Sequence, residues 1–215
     1  MKALIQTQDT ENTVKSRIYG KGRGWCFTPI DFSDLGSSEA IRVALFRLNN
    51  SGVIRRLVHG LYEFPRKHEK LGLLPPKIEF VVKALARRDQ IRFLPSGAYA
   101  ANLLGLTEQV PAKTVFLTEG ASKVITLGKI KIVFKRTTPK NMALAERVSG
   151  HVFQAIKYLG KENITPEVIA RLRKRLTVDD KKKLALDSQA APAWISKIVR
   201  EKLAAPKKLL EKKNG

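Results

Sequence analysis

The chain has 215 residues, 43% of them apolar, which is enough for one large domain or two small ones to fold without disulfide or metal staples. Lys and Arg number 41 against 19 Asp and Glu, a formal charge of +22 that exceeds any need of solubility and points to a polyanionic partner. The excess is +5 over residues 1–72, +8 over 73–140 and +9 over 141–215, so it is no detachable tail, and charge alone leaves DNA, RNA and acidic membrane open.

Cys26 is the single cysteine, which excludes an intramolecular disulfide and a cysteine-built zinc site; set between Trp25 and Phe27, it is expected in the core. No segment has the length and apolarity of a membrane span, and the first residues lack the apolar stretch of a signal peptide. These features together suggest a protein of the reducing cytoplasm.

In chain order, residues 12–19 predict a short helix capped by Asn12 and ended by GKGRG, whose Lys21 and Arg23 make a basic turn able to touch a DNA backbone. Thr28 and Pro29 predict a second short helix stopped by Gly36. A third starts at Ser37 or Ser38, presents Ile41, Ala44, Leu45 and Leu48 on one face, and ends at Ser51-Gly52. Two strand-like runs follow, 53–57 and 61–64, with His59-Gly60 at the turn. Helix, helix, turn, helix, hairpin is the order of a winged helix-turn-helix domain, here residues 1–65.

Three prolines and two charged clusters in 65–76 suggest a domain boundary, so a second domain is expected over 73–215. Within it, 77–89 predicts a helix, 92–94 an extended run and Ser96 the cap of a short helix through 98–104. Residues 114–136 contain three strand candidates, parted by EGAS and Gly128. Residues 141–159, 165–176, 179–187 and 192–205 predict helices, and the tail from 205 is expected to fray. The fold class is α+β, a winged helix followed by a mixed and then helical domain.

A winged helix offers its third helix to the major groove and its hairpin to phosphates or the minor groove. With the apolar face inward, the outward arc of the third helix holds Glu39, Arg42, Val43, Phe46 and Arg47, and Arg42 and Arg47 can reach bases or phosphates. Ser37 and Ser38 at the helix start suit capping, a phosphate oxygen, or both. Arg55 and Arg56 alternate on the hairpin, so only one shares the inward face and at least one should meet DNA, while His59 is a wing-tip group or a minor-groove reader. Phe46 is expected to be covered by the hairpin or by the second domain, the alternative being contact with a thymine methyl.

The GKGRG stretch lacks the strand and spacing of a phosphate-binding loop, and the scattered histidines and carboxylates form no catalytic or metal constellation. No enzymatic activity, metal or cofactor is expected. The basic run Arg171, Arg173, Lys174, Arg175, Lys181, Lys182 and Lys183 reads as a solvated helix face or a nucleic-acid contact, and it lacks flanking interfacial Trp residues for a membrane.

Residues 20–65, together with FLPSGAYAANLLGLTEQVPAKTVFLTEGASKVITLGKIKIVFKR and TVDDKKKLALDSQAAPAWISKIVRE, resemble AbiEi-type antitoxins of type IV toxin–antitoxin pairs across roughly residues 12–205. The resemblance implies a non-enzymatic repressor that binds double-stranded operator DNA of its own operon and counteracts a co-encoded nucleotidyltransferase-like toxin, with or without a direct complex. By position it assigns operator contacts to the helix at Ser37-Ser38 with Arg42 and Arg47, and to Arg55 and Arg56. The alternative drawn from charge is an RNA-binding factor that uses its basic C-terminal domain.

Overall fold

A computed structural model describes residues 2–109, 111 and 113–204; the tail expected to fray lies outside the described residues. The architecture is α+β, and the chain divides into two compact units, 1–91 and 92–215. Among the described residues no helix is long and apolar enough to cross a membrane.

In the first unit the opening helix, α1, spans Lys2–Lys21. Asn12 is therefore interior to it and does not cap its start, while Val14 and Ile18 further along are buried in the core of this unit. The chain then makes strand β1 (Cys26–Phe27) and a single 3-10 turn, Pro29–Phe32, where a longer helix was expected. That turn is held short by its own polar groups: Asp31 accepts from the Thr28 backbone N–H at 2.8 Å, and its main-chain carbonyl accepts from Arg17 at 2.9 Å.

Helix α2 (Ser38–Asn50) starts and stops as its sequence dictates. Ser37 caps it by accepting from the Ala40 N–H at 3.2 Å, and at the far end Gly52 takes φ +70°, a conformation that lets the chain reverse into the hairpin. Strands β2 (Arg55–Val58) and β3 (Leu61–Glu63) pair antiparallel, and β3 also pairs β1, giving the order β1-β3-β2. Ile41, Ala44, Leu45 and Leu48 of α2 join Val14, Ile18, Phe27, Phe32, Ile54 and Phe64 in one core. Aromatic contacts tie its parts together: Phe27 lies edge-to-face on Phe32 at 5.4 Å and stacks on Tyr62 at 6.1 Å.

The proline-bearing segment is no domain boundary. It forms a two-stranded ribbon of β4 (Lys67–His68) and β5 (Gly72–Leu73), and helix α3 (Ile78–Asp89) then packs back on β1 and the 3-10 turn. Arg87 of α3 donates to Asp31 at 2.6 Å and to the Cys26 carbonyl at 3.0 Å, so the unit continues to Ile91.

The second unit is a mixed sheet with a helical assembly. Strands β6 (Phe93–Ser96), β7 (Lys113–Thr118), β8 (Lys123–Leu127) and β9 (Ile130–Arg136) lie in the order β6-β7-β9-β8, with β7 and β9 parallel and the other pairs antiparallel. Ser96 belongs to β6 and donates to Gln154 at 3.2 Å, while Gly97 occupies the cap position of α4 (Ala98–Leu103). The helix expected over 141–159 is broken into α5 (Pro139–Met142) and α6 (Val148–Leu159). Helices α7 (Pro166–Arg175), α8 (Val178–Asp187) and α9 (Ala193–Ile198) follow, with Thr165 and Thr177 as caps. Val152, Ile156, Leu172, Leu184, Ile195 and Val199 form the centre of their core.

Candidate nucleic-acid interface

The inward face of α2 is spent on the core, which leaves its opposite face to solvent beside the β2–β3 hairpin. Between helix and hairpin runs an open groove. Glu39, Arg42, Val43 and Phe46 line it from α2, Arg56, His59, Gly60 and Tyr62 from the hairpin, and Pro29 completes it. Two links hold the hairpin in place against the helix: the Asn49 side-chain oxygen accepts from the Arg56 backbone N–H at 2.9 Å, and the Val53 and Ile54 N–H groups both donate to the Leu48 carbonyl.

The groove gathers three of the residues expected to meet DNA, Arg42, Arg56 and His59. Arg42 is well exposed and pairs with Glu39 one turn before it, an exposed ion pair of the kind that breaks at little cost. Arg56 approaches His59 Nδ1 at 2.7 Å, which sets the guanidinium over the hairpin turn. Ser37 and Ser38 are exposed at the start of α2, and Ser37 is already engaged as the cap.

The remaining expected residues are used differently. Arg47 leans towards α1, with Glu11 as its partner at 3.4 Å. Arg23 lies over the Phe64 ring at 4.7 Å and donates to the Pro65 carbonyl at 2.9 Å, which fastens the basic turn to the chain just after β3. Lys21 is exposed at the end of α1, beside Thr13, Arg17 and Gly20 and outside the α2 groove. Arg55 differs most from expectation: its guanidinium donates to the fully buried Glu63 and, at 2.8 Å, to the Leu74 carbonyl. It is the inward member of the alternating pair, and Arg56 is the outward one.

Phe46 also departs from expectation. It is 63% exposed, in the middle of the groove wall and one turn from Arg42. Helical spacing placed it on the outward arc, and nothing in the sequence required a cover for it.

Cys26 is buried as expected, and burial, with the nearby Glu63 carboxylate, pushes its thiol up to about 12, far from reactive thiolate chemistry. Close by, Arg17 forks onto Asp34 at 2.6 and 2.7 Å and holds that carboxyl down to about 2. This pair anchors the loop that leads into α2 to helix α1.

A sequence that builds this helix, groove and hairpin belongs to a family described as a family of unknown function (DUF6088), which it matches over residues 13–184. It is also similar to the RV2827C protein from Mycobacterium tuberculosis, known from a crystal structure, at 18% identity and a TM-score of 0.41, over 91% of this chain and 81% of that one. No curated protein matches it.

Proposed function

We propose that the first unit is a winged helix that binds double-stranded DNA in a sequence-specific way, with α2 as the element entering the major groove. The observation that carries this reading is the exposed face of α2, on which Arg42 and Phe46 stand beside Arg56 and His59 of the adjoining hairpin. An α-helix with its side chains is about 10–12 Å across, the width of the B-DNA major groove, and 13 residues span about 20 Å of it. The hairpin then meets the flanking backbone, where Arg56 supplies a phosphate contact. The net charge of +22 supplies the non-specific attraction that precedes recognition.

The purpose of this binding follows from the resemblance to AbiEi-type antitoxins: repression of the protein's own operon and antagonism of a co-encoded nucleotidyltransferase-like toxin. A mobility-shift titration of the full chain on the DNA upstream of its own gene tests the first part. Preference for that DNA over a scrambled duplex of equal length is expected, and equal affinity for both overturns the regulator reading. For the second part, the adjoining open reading frame is expected to arrest growth when expressed alone and not when this chain is co-expressed.

A further inference from the structure

Phe46 and Val43 lie three residues apart on α2, so their side chains share one strip of the groove wall, with Arg42 next to both. Val43 is half-buried and Phe46 is 63% exposed, on a helix whose other large apolar side chains, Ile41, Leu45 and Leu48, are buried. Isolated apolar residues on a surface are ordinary. This pair differs by its surroundings: guanidinium groups stand on both sides, Arg42 on the helix, where it pairs with Glu39, and Arg56 on the hairpin. The strip therefore favours an apolar group carried by a polyanion. In the major groove of DNA that group is the C5 methyl of a pyrimidine, which in unmodified DNA marks thymine.

We propose that Phe46, backed by Val43, is a specificity residue that reads a pyrimidine C5 methyl in the target site. This inference rests on the DNA-binding reading of α2 and adds what the helix recognises. The Glu39–Arg42 pair bordering the strip complements it, since an arginine released from an exposed ion pair suits the O6 and N7 acceptors of guanine, and the glutamate suits the amino group of cytosine. The favoured half-site thus combines at least one thymine with a neighbouring G·C pair. Burying one methyl contributes about fourfold in affinity.

The test uses the full-length chain and a pool of random 28-base-pair duplexes, about three helical turns, from which bound sequences are selected. The winning site is then synthesised with each thymine replaced singly by deoxyuridine, which removes only the methyl, and in separate duplexes by cytosine or 5-methylcytosine paired with guanine, which differ from each other only in that methyl. At one or two positions deoxyuridine is expected to weaken binding about three- to tenfold for the wild type and less than twofold for Phe46→Ala, with Phe46→Leu between them. Placing 5-methylcytosine at such a position is expected to recover affinity relative to cytosine. Circular dichroism of Phe46→Ala should match wild type, because the side chain is exposed. A selected site that tolerates deoxyuridine everywhere overturns the methyl reader alone. A pool that yields no enriched sequence overturns the DNA-binding reading and the methyl reader together.

Discussion

Arg55 and Glu63 face each other across β2 and β3, and the arginine donates through Nε (3.1 Å) and Nη2 to a carboxylate that water does not reach. The second carboxylate oxygen, Oε1, has no hydrogen-bond partner among the described residues, so this ion pair is the main compensation for burying the charge. Removing the arginine leaves Glu63 buried and unpaired. Arg55→Ala is therefore expected to lower unfolding stability by about 3 kcal/mol in urea titrations. Replacing both partners by leucine is expected to recover most of that loss, since the desolvation cost goes with the pair.

Arg56, one residue on, gives the opposite pattern. Its side chain is exposed at the groove, and its backbone N–H is what holds the hairpin to Asn49. Arg56→Ala keeps that N–H and is expected to change stability by no more than about 0.5 kcal/mol. If Arg56 meets a phosphate, the salt dependence of DNA affinity falls by about 0.9 in slope, across specific and scrambled duplexes alike. Mobility shifts at several salt concentrations check this. An unchanged slope means that Arg56 neutralises no phosphate.

The contrast between these neighbours shows how far the sequence could be read. Strand alternation says that Arg55 and Arg56 face opposite ways; which one faces in is decided by Glu63, whose burial on the partner strand no local pattern reveals. Helix α2 was legible end to end because its apolar spacing, the Ser37 cap and the Ser51-Gly52 stop agree. The boundary at 65–76 was misread because Pro65, Pro75 and Pro76 flank a ribbon, and the decisive link is the long-range bond from Arg87 to Asp31. Phe46 was misjudged on the average tendency of phenylalanine to be covered, although its position on the outward arc was already plain.

Two acid-sensitive features act in separate pH windows. Burial lowers the pKa of His151 on α6 below its ordinary value near 6.5, so the unfolded chain binds a proton there more readily than the folded one. The associated stability is complete above about pH 6.5 and declines as pH falls below it. Asp34 is held at about 2 by Arg17, so its contribution is complete above the ordinary carboxyl value of 3.8 and is lost as pH falls through about 2. Thermal unfolding between pH 7.5 and 5 should show the first loss only, and His151→Gln should remove most of the slope in that window. Arg17→Ala should alter the acid limb below pH 4 and leave the histidine window intact.

One substitution, glycine to alanine, is expected to have opposite signs at two helical positions. Gly20 lies near the end of α1, in open space and without a positive φ, so a methyl group there meets nothing and reduces the freedom of the unfolded chain. Gly20→Ala should stabilise by about 0.5–1 kcal/mol. Gly150 is buried in the first turn of α6, where an added Cβ would lie 2.2 Å from the Leu144 carbonyl oxygen and 3.2 Å from a methyl of Leu94. The carbonyl belongs to the turn that separates α5 from α6 and accepts there from the Arg147 N–H at 3.0 Å, so it cannot withdraw without opening that turn. The gain in helix propensity, about 1 kcal/mol, is smaller than the displacement it forces, and Gly150→Ala should destabilise by about 2 kcal/mol or more. Chemical denaturation of the two variants measures both signs. A neutral Gly150→Ala would mean that the α5–α6 turn yields, and that the break in the helix expected over 141–159 does not depend on this close approach.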